Sequence, residues 1–101
     1  MKLQMQSVHF DADDKLLDFI QKKVDKLETY YDRIIDGDVF LRLDKGDEKG
    51  HKKIVEIKLN IPGQTLFSKQ EATSFEAATD EAMEALKKQL QRYKEKNFIH
   101  H

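Results

Sequence analysis

Two stretches of alternating hydrophobicity, VFLRLDK from Val39 and IVEIKLNI from Ile54, constrain this chain more than anything else in it. In the first, Val39, Leu41 and Leu43 fall on one side against Phe40, Arg42 and Asp44; in the second, Val55, Ile57, Leu59 and Ile61 share a side. A period of two is what a strand with one buried face requires, and the polar, Gly-containing loop DKGDEKGH joins the two as a hairpin. Pro62-Gly63 then supplies a turn, Pro at its second position and Gly taking positive φ, so that LFSKQ returns as a further strand.

The covering layer comes from two runs with a helical period. Leu16, Ile20, Val24, Leu27 and Tyr31 recur every three or four residues and predict one helix running to about Tyr31. The preceding DADD caps it: Asp11 or Asp13 accepts free backbone N–H groups, and the further carboxylates favour the positive end of the dipole. A calcium loop on Asp11, Asp13 and Asp14 lacks the glycine turn and distal glutamate that such a loop needs. The second run, Phe75, Thr79, Ala82, Leu86, Leu90 and Tyr93, predicts a helix over about 74–96, with Thr73 and Glu76 at capping-box spacing. Ahead of both, Leu3 and Met5 alternate with Lys2, Gln4 and Gln6 until the apolar parity slips after Ser7 to Val8 and Phe10, the mark of a bulge or a strand end. The order is β-α-β-β-β-α, an α+β two-layer sandwich: a mostly antiparallel four-stranded sheet with two helices on one face.

With 101 residues the chain has room for one core, so 1–97 read as a single domain and 98–101 as a tail, His100 and His101 being native or the remains of a purification tag. No apolar run approaches the roughly 20 residues of a membrane span, and MKLQMQSVHF alternates where a signal peptide would be uniformly apolar, which reads as a cytosolic chain with no membrane partner. Having no cysteine, it has no thiol nucleophile, disulfide or thiolate metal site. His9, His51, His100 and His101 show no metal-ligand spacing, and Gly37, Gly46, Gly50 and Gly63 read as turn residues, not as a phosphate loop. Acid pairs such as Asp13 and Asp14 have no evident apolar pocket to raise a pKa. An enzyme is therefore not expected, nor a cofactor, a metal or a small-molecule substrate.

The net charge of −1 conceals sorting. KKQLQRYKEK, residues 87–96, holds Lys87, Lys88, Arg92, Lys94 and Lys96 against Glu95, whereas Glu71, Glu76, Asp80, Glu81 and Glu84 precede it with no base among them. On a helical wheel Lys88, Arg92 and Lys96 form one i, i+4 ridge, with Lys87 and Lys94 on the opposite flank. On the first helix Lys15, Lys22, Lys23 and Lys26 share a sector of roughly 100°, which Arg33 would extend, while Asp14, Asp18, Asp25 and Glu28 take the other flank. The helix dipole rewards acids in first turns and cations in last ones, so the second helix alone is balanced between that cause and a ligand. A second segregated flank beside it tips the reading towards phosphate binding. Phe19 and Tyr30, in or beside the basic sector, can stack on a base or complete the core, and the core is preferred.

KLETYYDRI, residues 26–34, and EAATDEAMEALKKQLQRYKEK, from Glu76, resemble the signature segments of the ribosome hibernation-promoting factors, also called ribosome-associated inhibitor or protein Y. The resemblance covers almost the whole chain and is to the short form, without the long form's C-terminal dimerisation domain. It implies a fold akin to double-stranded-RNA-binding domains with an added first strand. It also implies binding of 16S rRNA in the decoding channel of the small ribosomal subunit, where tRNA and mRNA would otherwise sit. Lys23, Lys26, Arg33, Lys88, Arg92, Lys94 and Lys96 match basic positions of the family, and Lys22 and Lys87 join them as RNA-binding candidates. Ala85 stands where the family usually has lysine, Thr79 where it has isoleucine, Ser74 where aspartate commonly begins the second helix, and Ser7 replaces a usual glycine. The alternative class is a protein-interaction module, as the family's older name of sigma-factor modulator suggests. A general double-stranded-RNA binder is a third.

Overall fold

The computed structural model describes residues 1–44 and 52–98; most of DKGDEKGH, with Gly46, Gly50 and His51, lies outside them, as do His100 and His101. Along the chain come β1 (Lys2–Val8), α1 (Asp14–Asp25), α2 (Leu27–Tyr30), β2 (Asp36–Asp44), β3 (Lys52–Ile61), β4 (Gln64–Ala72) and α3 (Phe75–Phe98). The strands lie in the order β1-β2-β3-β4, giving the expected α+β sandwich. β1 runs parallel to β2, in unbroken register from Lys2 opposite Asp36 to Val8 opposite Arg42, and the other two pairs are antiparallel. A parallel pair needs a crossover, and α1 with α2 supplies it over one face.

That face holds the core. Val39, Leu41, Val55, Ile57, Leu59, Ile61 and Leu66 of the sheet pack with Ile20, Val24 and Leu27 of the first helical segment and with Phe75, Ala78, Ala82, Met83, Leu86 and Leu90 of α3. Thr79, at a position with no exposure, donates its hydroxyl to Phe75 O at 2.7 Å, one turn back in its own helix, so this buried polar group is not left unpaired. Tyr31 and Tyr93 meet edge to face at 5.5 Å, and Tyr93 donates to Pro62 O at 3.0 Å, pinning α3 to the β3–β4 turn.

Local details depart from the sequence reading at three places and settle an open alternative at a fourth. The first helix is not continuous to Tyr31: α1 ends at Asp25, Lys26 closes it with its N–H turned to Lys22 O and Lys23 O, and four-residue α2 follows. Because Lys26 keeps helical backbone angles, the apolar stripe runs on through the break. The slip after Ser7 is a strand end and not a bulge, since β1 closes at Val8 and His9 takes φ 68° before Asp13 caps α1 by accepting from Leu16 N at 2.8 Å. Ser74, not Thr73, caps α3, its hydroxyl accepting from Ala77 N at 3.0 Å. Gly63 is the expected turn glycine with φ 85°, but Gly37 lies inside β2. A Cβ there would sit 2.8 Å from Leu3 Cδ2 and Leu59 Cδ2 and 3.0 Å from Lys58 O.

The outer edge of β4 is partly closed by a side chain. Gln89 of α3 donates to Phe67 O at 2.8 Å and accepts from Phe67 N at 3.2 Å, occupying the peptide that another strand would use.

Two outcomes follow from this packing. Replacing Gly37 by Ala should destabilise the protein by about 1–3 kcal/mol in urea titration, because Leu59 is fully buried and a backbone carbonyl cannot retreat; an unchanged midpoint would show that the sheet accommodates a methyl there. Tyr31, desolvated by burial and hydrogen-bonded with Tyr93, has its pKa pushed from 10.0 up to about 12. Below pH 10 both folded and unfolded chains keep the phenol neutral. Above it the unfolded chain ionises first, so stability should fall with pH between about 10 and 12. Tyr31→Phe should lose stability less steeply across that window than the parent when thermal melts are compared pH by pH.

Candidate nucleic-acid interface

The helical layer collects the cations into three places. Where α1 and α3 pack, Lys23, Lys26 and Lys87 line a cleft of about 410 Å³ together with Leu27, Met83, Asp80 and Glu84. Along the β4 side of α3, Arg92 and Lys96 border a concavity with Gln64, Thr65, Gln89 and Tyr93, and Lys88 continues their ridge one turn earlier. At the end of α2, Arg33 and Lys94, far apart in sequence, line a third concavity with Tyr30 and Tyr31. Lys22 is exposed on α1 and lines none of the three. α3 thus carries cations on both flanks, as the wheel implied, and its buried stripe runs between them.

Not all of these charges are available in the same degree. Lys23 Nζ lies 3.2 Å from Asp80 Oδ1 and 5.3 Å from the centre of the Phe19 ring. Lys87 Nζ lies 3.9 Å from Glu84 Oε1, one turn back on α3. Lys94 donates to Tyr30 O at 3.0 Å. Among the described residues Lys22, Lys26, Arg33, Lys88, Arg92 and Lys96 have no acidic partner within 4.0 Å. On the open face of the sheet, by contrast, Arg42 is bonded to Glu56 at 2.7 Å. The helices hold no excess of bases over acids, so what marks the helical layer is the sorting of its cations and not its net charge.

The acidic flank of α1 has structural work. Asp25 and Glu28 both bind the Met1 ammonium, and Asp25 also accepts from Gln21 Nε2 at 2.9 Å. The Glu28 contact, ahead of Asp25, raises the ammonium pKa above its ordinary value. Asp14 and Asp18 remain exposed. Lys15 does not join the basic cleft: it borders a groove with Phe10, Asp11, Asp13 and Glu76, where Phe10 stacks on Phe75 at 5.0 Å.

The preference for core was right for Phe19, which packs against it, and wrong for Tyr30, which is 40% exposed. Periodicity separates the two tyrosines, Tyr31 on the buried stripe and Tyr30 beside the basic sector, and the exposures follow that split and not the preference for core. Spacing marks Asp80 and Glu84 as dipole partners and as a counterweight to the basic end, and the structure adds that both are ion-pair partners inside the cleft. The Glu84–Lys87 spacing was legible on one helix, whereas Lys23 and Asp80 meet only through helix packing. Among the described residues no cluster of three or more potential metal-binding side chains occurs, and no helix is long and apolar enough to cross a membrane.

Comparison with known proteins places this geometry in a family. The ribosome hibernation promoting factor of Pseudomonas putida is 28% identical over 96 residues, covering 95% of this chain and 89% of that protein, and that of Azotobacter vinelandii is 28% identical with 95% and 85% covered. The ribosome hibernation promotion factor of Deinococcus radiodurans is 25% identical over 91 residues, 90% of this chain but 48% of that protein, so the chain spans about half that relative's length. Among solved structures, a ribosomal subunit interface protein from Coxiella burnetii superposes with a TM-score of 0.82 at 26% identity, covering 93% of this chain and 98% of that one. The N-terminal domain of Thermus thermophilus Protein Y gives 0.79 at 25% identity, with 92% and 99% covered. The family model described as Sigma 54 modulation protein / S30EA ribosomal protein matches residues 3–97, from β1 to the last turn of α3: the chain belongs to that family.

Proposed function

We propose that this chain is a non-enzymatic translation regulator of the cytoplasm. It binds 16S rRNA of the small ribosomal subunit in the decoding channel and silences the ribosome by occupying the space that tRNA and mRNA need. The observation that carries the reading is the sorting of cations onto both flanks of α3 within one helical layer, several of them without an acidic partner. Two parallel lines of cations separated by a helix's width suit a phosphate backbone on either side of the helix better than a single point ligand. The names of the relatives supply the ribosome as the RNA's source, and family membership makes hibernation the consequence of binding. No bond is made or broken in this mechanism; the work is steric. Exposed Asp14 and Asp18, on the other flank of α1, repel phosphate and restrict the orientations in which the helical layer can approach. The family description's other half, modulation of sigma 54, keeps a protein partner as the competing reading.

Binding to purified small subunits in competition with tRNA should weaken steeply with salt. Displacing counterions from about five phosphates gives a log–log slope of roughly −3.5 to −4.5, and affinity indifferent to salt would favour the protein-partner reading.

Charge-specific variants separate fold from function. Replacing Lys88, Arg92 and Lys96 together by Gln should leave the melting curve close to the parent's, each lost dipole interaction costing at most about 1 kcal/mol, while flattening the salt slope by roughly 0.7–0.9 for each phosphate contact removed. Asp80→Asn should act in the opposite direction, because it releases Lys23 from its ion pair, and Asp14→Asn with Asp18→Asn should leave binding equal or tighter. If the cation-depleted variant holds subunits as tightly as the parent, the basic ridge is only a helix end and the rRNA assignment fails.

A further inference from the structure

We propose that Tyr30 is a stacking platform for a single unpaired nucleobase, braced by Lys94 and Arg33; the inference rests on the ribosomal reading and adds a base contact to a site otherwise built for phosphates. Adjacent tyrosines are treated in opposite ways here. Tyr31 is 6% exposed and held by Tyr93, whereas Tyr30 is 40% exposed at the end of α2. The exposed ring is nonetheless fixed. Lys94 Nζ lies 5.3 Å from its centroid and donates to the carbonyl of the same residue at 3.0 Å, tying the end of α2 to the late turns of α3. An aromatic surface left open on a stiffened support loses little entropy when a flat ligand lands on it.

Charge indicates what lands there. In the concavity around Tyr30, Arg33 stands beside Asp32, Lys94 is held by the Tyr30 carbonyl and Glu28 is taken up by the Met1 ammonium, so a bare phosphate finds little free charge there. What the site offers without compensation is the ring, with cations beside it. A nucleotide fits that arrangement, its base on the ring and its phosphate towards Lys94 and Arg33, turned from Asp32. The base must be unpaired and unstacked, because a duplex hides the faces of its bases. Phe67, half exposed on the open side of the sheet, lies apart from these cations and gives no such case.

The test compares Tyr30→Phe, which keeps the ring, with Tyr30→Leu, which keeps apolar bulk and removes it. Against small ribosomal subunits Tyr30→Phe should bind like the parent, and Tyr30→Leu roughly 5- to 150-fold more weakly, the range spanned by one base stack. The salt slope and melting curve of Tyr30→Leu should stay unchanged, since no phosphate contact and no core contact is lost. Equal binding by Tyr30→Leu, an equal loss in both variants, or a loss accompanied by a shallower salt slope each overturns the proposal. A second arm uses short oligoadenylate against duplex RNA of matched charge: the parent and Tyr30→Phe should prefer the single strand, and Tyr30→Leu should lose that preference. A parent that ignores subunits sinks the ribosomal reading alone; the stacking site then stands on the oligoadenylate preference and falls if that preference is missing or survives in Tyr30→Leu.

Discussion

The rotation of α3 about its own axis governs the rest of this molecule. Its buried line, Phe75, Ala78, Thr79, Ala82, Leu86 and Leu90, lies on β3 and β4, and the alanines let the helix come close at its N-terminal half. Once that line faces the sheet, every other position on the helix is assigned. Lys87 must point to α1, and Lys88 must lie on the outer ridge leading to Arg92 and Lys96. A turn of the helix by one residue, about 100°, would bury part of one cationic line and merge what remained. Core packing and the separation of the two cationic lines are therefore one constraint, and the Tyr93–Pro62 hydrogen bond holds it at the far end.

The cleft between α1 and α3 illustrates how a charged surface is kept compatible with folding. Lys23, Lys26 and Lys87 in proximity repel one another, and Asp80 and Glu84 relieve that repulsion in the free protein. The relief is weak because the pairs are largely exposed and screened. The lysines can therefore exchange these acids for other partners at small expense.

Sequence periodicity reached the fold because burial of one face imposes a period of two on Val39–Leu43 and Val55–Ile61 and of about 3.6 on the helices. It could not see the break at Lys26, where the backbone stays helical and the apolar stripe continues, nor Gly37, whose need for a missing Cβ arises from Leu3 and Leu59 on two other strands. At the candidate interface the cations and their flanks were legible from spacing. Which of them are engaged was legible only for Glu84 and Lys87 on one helix, since the Lys23–Asp80 pair and the Lys94–Tyr30 contact are products of tertiary packing. Family membership, suggested by KLETYYDRI and by the α3 segment, is borne out over residues 3–97.

The Gln89 amide on the edge of β4 has a consequence for crowding. An uncovered strand edge invites copies of a protein to pair with each other, and many proteins guard theirs with a lysine, whose effect fades as ions accumulate. Gln89 instead satisfies the Phe67 peptide with a neutral group of matching geometry. Its protection does not depend on ionic strength. At salt concentrations that would strip the molecule from a polyanion and raise its free concentration, this stretch of edge stays as closed to neighbouring copies as before.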